Sequence, residues 1–65
     1  MNLIEGLIEQ MNRNRELLEA YKSIGIPGTF ASAMITADIQ AAEKAMGEGD
    51  TIAMLKCFAV LKENK

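Results

Sequence analysis

The sequence predicts an all-α protein, three helices in a small bundle-like arrangement completed by homodimerisation. Three observations carry this. Two Gly-rich breaks, Ser23-Ile24-Gly25-Ile26-Pro27-Gly28 and Gly47-Glu48-Gly49-Asp50, divide the 65 residues into three segments. Apolar residues recur at helical rather than alternating spacing in each segment. The last segment is apolar on two faces, which places a helix between neighbours on both sides. The whole chain, residues 1–65, reads as one domain with helices over about 3–22, 29–46 and 51–62.

The first helix starts at Leu3 behind Asn2, a capping residue, with Glu5 placed three residues on to complete a capping box. At 100° per residue, Leu3, Ile4, Leu7, Ile8, Met11, Leu17, Leu18 and Tyr21 share one half of the circumference. Glu5, Glu9, Asn12, Arg13, Glu16 and Glu19 hold the other. Asn14 falls inside the apolar arc and Arg15 near its edge. Glu9–Arg13 and Arg15–Glu19 stand at i,i+4, a spacing worth a few tenths of a kcal/mol per ion pair. Gly25 and Pro27 stop the helix.

The second helix runs from Thr29, read as its N-cap, to Met46, with Gly47 just past its end. Its apolar arc is broad, roughly 200°. Phe30, Ala31, Met34, Ile35, Ile39, Ala41, Ala42, Ala45 and Met46 fill it, and Ser32, Thr36, Gln40 and Glu43 form a narrow polar strip. So broad an arc implies more than one neighbour, and its alanines allow close approach. This is the central helix. The third helix is capped by Asp50. One face carries Ala53, Met54, Cys57, Phe58, Val60 and Leu61, and the other Ile52, Leu55 and Ala59.

The bundle has only two helices to offer the third, so one of those faces is left for a partner. A C₂ homodimer is the simplest completion, and it enlarges the small core of so short a chain. The expected interface is Ile52, Leu55 and Ala59 with Ile4, Ile8 and Met11 of the first helix. Asp38 stands near the centre of the second helix's apolar arc, where a carboxylate needs a partner. The candidates are Arg15, Arg13, Lys56, Tyr21 and Asn14, and the pair singled out is Asp38 with Arg15, both as buried polar residues.

Composition excludes several functions. Nine acidic and seven basic residues leave a net charge of −2, without the basic stripe of a nucleic-acid binder. The third helix is too apolar to be the recognition helix of a helix-turn-helix. His is absent and Cys57 is alone, which removes His-based catalysis, a zinc cluster and an internal disulfide framework. Cys57 on an apolar face reads as a small core residue. Gly25-Ile26-Pro27-Gly28-Thr29 lacks the Lys and Ser/Thr ending of a phosphate loop. No pair of groups has catalytic spacing, so the expectation is a non-enzyme with no cofactor and no metal. The N-terminus does not read as a signal peptide, and no uninterrupted apolar run is long enough for a membrane span. A lone cysteine fits a reducing cytoplasm.

The pattern Tyr21-Lys22, Ile24-Gly25, Gly28, Phe30, Met34-Ile35, Asp38-Ile39, Ala42-Glu43, Ala45, Gly49-Asp50 and Met54-Leu55 resembles small open reading frames of bacterial prophages, Mu-like ones among them. The likeness covers about two-thirds of the chain, and Ile26-Pro27-Gly28 departs from the usual loop. It implies a bacterial or phage cytosolic setting and assigns no catalytic or binding residue. Two functions follow as expectations. One is a homodimeric protein–protein interaction module. The other is a phage-type inhibitor that binds and blocks a host protein, such as a defence component.

Overall fold

The computed structural model describes residues 2–65. Helix α1 spans Leu3–Ile24, a short 3-10 turn spans Ile26–Gly28, α2 spans Thr29–Glu48 and α3 spans Thr51–Glu63. No strand occurs among the described residues. Each helix packs against the other two. Short connections make α2 antiparallel to its neighbours, so α1 and α3 run in the same direction. The bundle measures 35 × 20 × 16 Å.

Local chemistry sets each boundary. Asn2 caps α1 by accepting from the Glu5 amide at 2.8 Å, and its side-chain amide reaches Glu5 Oε1 at 3.4 Å. Gly25 ends α1 at φ 86°, ψ −140°, a region essentially reserved for glycine. Thr29 is not the N-cap of α2. The 3-10 turn already leads the backbone into helical geometry, Gly28 holds the cap position, and no side chain bonds there. The end of α2 also differs from expectation. The helix runs through Gly47 to Glu48 and closes on Gly49 at φ 66°. The Gly49 and Asp50 amides return to Met46 and Ala45, which is a Schellman ending. Asp50 then caps α3, accepting from the Ala53 amide at 3.1 Å.

Gly47 is thus an interior helical residue with open space where a Cβ would stand. Gly47→Ala removes backbone entropy from the unfolded chain and adds no clash. It is expected to stabilise the protein by about 0.5–1 kcal/mol. An increase in the urea midpoint at unchanged m-value checks this.

The core takes Leu7 and Met11 from α1, Ile35, Ile39, Ala42 and Ala45 from α2, and Met54 and Leu61 from α3. Leu3, Leu17, Leu18, Tyr21, Met46, Ala53, Cys57 and Phe58 pack around it half-buried. At 1.5 Å per residue α1 is about 33 Å long, α2 about 30 Å and α3 about 20 Å. The third helix therefore fills only part of the groove between the other two. Where it stops determines both the polar cluster and the exposed apolar surface.

Candidate interaction surface

Helix α3 ends without a glycine cap, so its last carbonyls need other donors. Helix α1 supplies them. Arg13 Nη2 donates to the Leu61 carbonyl at 2.6 Å and to the Lys62 carbonyl at 3.2 Å, and Gln10 Oε1 accepts from its Nε. A guanidinium at a helix C-terminus also complements the helix dipole. Asn14, at 0% exposure, donates to the Gln10 carbonyl at 2.8 Å and to the Leu61 carbonyl at 3.0 Å. Its Oδ1 accepts from Asn64 Nδ2 at 2.9 Å. The same Asn64 amide group donates to Asp38 Oδ2 at 3.0 Å. One residue just past α3 thereby joins all three helices. The Tyr21 hydroxyl donates to the Lys65 carbonyl and holds the tail against α1.

This cluster replaces the expected Asp38–Arg15 pair. Asp38 is half-buried on the flank of α2 that faces α3, beside Ala41, Lys56, Cys57 and Val60. Arg15 is exposed on the far flank of α1, among Leu18, Thr36, Gln40 and Glu43, and donates to Asn12 Oδ1 at 2.9 Å. Helix α2 separates the two. The buried polar side chain is Asn14, its neighbour in sequence. The expected Glu9–Arg13 and Arg15–Glu19 pairs are not formed either: Arg13 turns to Gln10 and the end of α3, and Arg15 turns to Asn12. Among the described residues the ion pair present is Lys22–Glu19 at 4.0 Å, between exposed groups.

Cys57 lies half-buried where α3 meets α2. Burial pushes its thiol pKa up, and the negative charge of Asp38 pushes it further in the same direction. The folded state therefore favours the neutral thiol. Its stabilising contribution is full below the unfolded thiol's value, about 8.5. It is lost as pH rises through the higher folded value. Alkylation by iodoacetamide is expected to show a pH–rate midpoint above that of a free cysteine. Asp38→Asn should bring it part of the way back, and an unchanged midpoint would count against the charge contribution. Among the described residues no three His, Cys, Asp or Glu side chains gather as a metal site.

The apolar residues expected at an interface separate into three places. Ile52, 68% exposed, Leu55, 54% exposed, and exposed Ala59 form one stripe on the outward side of α3. Ile4 and Ile8 are exposed on α1, on the flank that carries Arg15 towards α2, away from α3. Met11 is in the core, because it lies near the middle of the α1 apolar arc, between Leu7 and Ile4 on the wheel. The structure does not bring these six residues onto one surface.

A second apolar region appears beyond the end of α3. Phe30, 77% exposed, and Met34, 50% exposed, stand on α2 at helical spacing above Asp38 and Ala41. Tyr21, Ala31, Met34 and Ile35 line the hollow there, with Asn64 and Lys65 as its floor at the end of α3. Ile24 and Ile26 continue the exposed surface onto the turn, Ile26 being 90% exposed. The broad apolar arc of α2 implies neighbours across its whole width, but Phe30, Met34 and Ala41 stay exposed. The exposure of this region follows from the shortness of α3.

No helix among the described residues is long and apolar enough to cross a membrane. The chain matches no family model, no curated protein and no solved structure.

Proposed function

We propose that this chain is a small non-enzymatic helical interaction module, encoded by a phage or prophage and acting in the cytoplasm as a homodimer. It needs no cofactor, metal, nucleic acid or membrane. The observation that carries the reading is the outward stripe of α3. A helix of 13 residues that buries Met54 and Leu61 inward still leaves Ile52 and Leu55 more than half exposed on its other side. Contiguous apolar surface of this kind marks interaction sites.

The test is mass in solution by light scattering across a wide concentration range, read with the thermal midpoint. A homodimer gives twice the chain mass, and its midpoint rises with concentration by mass action. Leu55→Asp is expected to yield a folded monomer. A variant of unchanged dimeric mass removes the stripe from the interface.

A second reading is favoured by Ile24 and Ile26, which sit at the tip of the bundle, far from the α3 stripe. A compact body with one exposed apolar tip suits an inhibitor that blocks a host protein, such as a defence component. That reading requires a stoichiometric complex in bacterial lysate which Ile26→Asp abolishes while the mass of the free protein stays the same.

A further inference from the structure

The outward stripe of α3 and the hollow beyond its end open on the same side of the molecule, because α3 lies in the α1/α2 groove and stops partway along it. One is a ridge one helix wide. The other is the missing upper part of that helix's path, roughly 10 Å long by the difference between α2 and α3. We infer, resting on the self-association reading, that the occupant of the hollow is α3 of a second copy, seated reciprocally about a two-fold axis. Its Ile52, Leu55 and Ala59 lie against Phe30, Met34 and Tyr21 of the first copy.

The hollow defines the chemistry of its occupant. Lower in the same groove α2 and α3 pack through Ala42, Ala45, Met54 and Leu61, and Ala41 faces Cys57 and Val60 across a small cleft at its rim. The α2 flank that carries Ala41 continues upward through Met34 and Phe30, so the surface that accepts an apolar helix below also presents apolar residues above. The chain carries such a helix face on its own exterior. A two-fold axis lying in the contact plane, across the helices, turns the partner end for end. Its α3 is then antiparallel and rests over the hollow, while α3 of the first copy rests over the hollow of the partner. The contact is isologous and closes at two copies.

Area supports this pairing over stripe against stripe. A stable interface buries about 800 Å² per partner. That is a little under a fifth of the 4395 Å² surface of this chain. Stripe against stripe enlists only three exposed side chains of α3 on each copy, whereas the reciprocal contact adds Phe30, 77% exposed, and Met34, 50% exposed, of α2 on each side. The reciprocal contact covers the stripe and the hollow on each partner at once. It also places Ala59, the smallest stripe residue, towards the tail that Tyr21 holds through the Lys65 carbonyl.

The test uses the full chain carrying Cys57→Ser, with Met34→Cys in one tagged preparation and Leu55→Cys in another. After mixing and treatment with a short bismaleimide, the expected product is the 34–55 link between differently tagged chains, with little 55–55 link. Met34→Asp and Phe30→Asp should each raise the dimer dissociation constant roughly 30-fold or more while leaving the helical circular dichroism unchanged. A dimer that gives the 55–55 link, or that survives both aspartates, overturns the reciprocal seating and leaves self-association standing. A wild-type chain that stays monomeric at the highest concentration overturns both.

Discussion

Gly28→Ala is expected to remove most of the stability of the protein at 25 °C. Gly28 has ordinary helical angles, φ −90° and ψ −2°, so alanine's own backbone preference costs nothing there. The cost is steric. A Cβ on Gly28 falls inside the contact radius of the Tyr21 carbonyl oxygen, and it stands 2.9 Å from that carbonyl's carbon and 3.3 Å from the Tyr21 Cα. These are backbone atoms in the last turns of α1, so no side chain can rotate away. Relief requires the 3-10 turn to lift off α1. That moves the start of α2 and, with it, Ile35 and Ile39 in the core. Overpacking of this kind typically costs about 1–3 kcal/mol, and more when the obstacle is rigid. A chain of this size has only about 3–5 kcal/mol to lose. Circular dichroism at 222 nm through a urea titration measures the outcome. Gly47→Ala serves as the matched control, since it adds the same methyl group into open space. If Gly28→Ala keeps a urea midpoint near wild type, the turn does not rest on α1 as described.

Gly28 also shows where reading the sequence stops. Gly, Pro and the helical spacing of apolar residues mark three helices and both breaks, because those signals are local. The observed helices run one or two residues past the predicted ends, where Ile24, Glu48 and Glu63 add the final turn. Sequence identifies Gly28 as a turn residue. It says nothing of the Tyr21 backbone, seven positions earlier, that forbids any side chain there. The polar cluster was hidden for a similar reason. A helical wheel gives the rotation of each residue about its helix but not its height along the bundle. Asn14 is visible as a polar residue inside an apolar arc. That it meets Asn64 and the Leu61 carbonyl depends on α3 ending level with it. Asp38 draws attention by the same wheel, yet its flank of α2 faces α3 and not Arg15. Met11 is expected at an interface with Ile4 and Ile8, yet it stands near the middle of the α1 arc and the core takes it. The uncovered hollow needs only one further fact, the relative lengths of the helices, and the two glycine breaks already contain it.

Asn14→Ala carries the second large effect, expected at about 3 kcal/mol. Two losses combine. The side chain is fully buried, so truncation leaves a small cavity. Its bonds to the Gln10 and Leu61 carbonyls and from Asn64 disappear, each worth about 1 kcal/mol net. The Leu61 carbonyl keeps Arg13 as a donor, which limits the penalty. Asn64 keeps Asp38, so it is not orphaned either. Asn14→Leu separates the packing loss from the polar loss. It restores most of the volume and adds apolar burial worth about 1.5–3 kcal/mol, so it should recover much of the stability. It cannot recover the fixed position of the α3 terminus, because leucine offers nothing to Asn64 or to the last turn. Amide exchange at Leu61 to Asn64 should therefore stay fast in Asn14→Leu even where its urea midpoint approaches wild type. A double-mutant cycle with Asn64→Ala should give a coupling of about 1 kcal/mol, as contacting residues in one network do. Zero coupling, with slow exchange at the end of α3 in Asn14→Leu, would mean that Arg13 holds the last turn without help from Asn14. The boundary between ridge and hollow would then be set by one half-buried charge rather than by a buried amide.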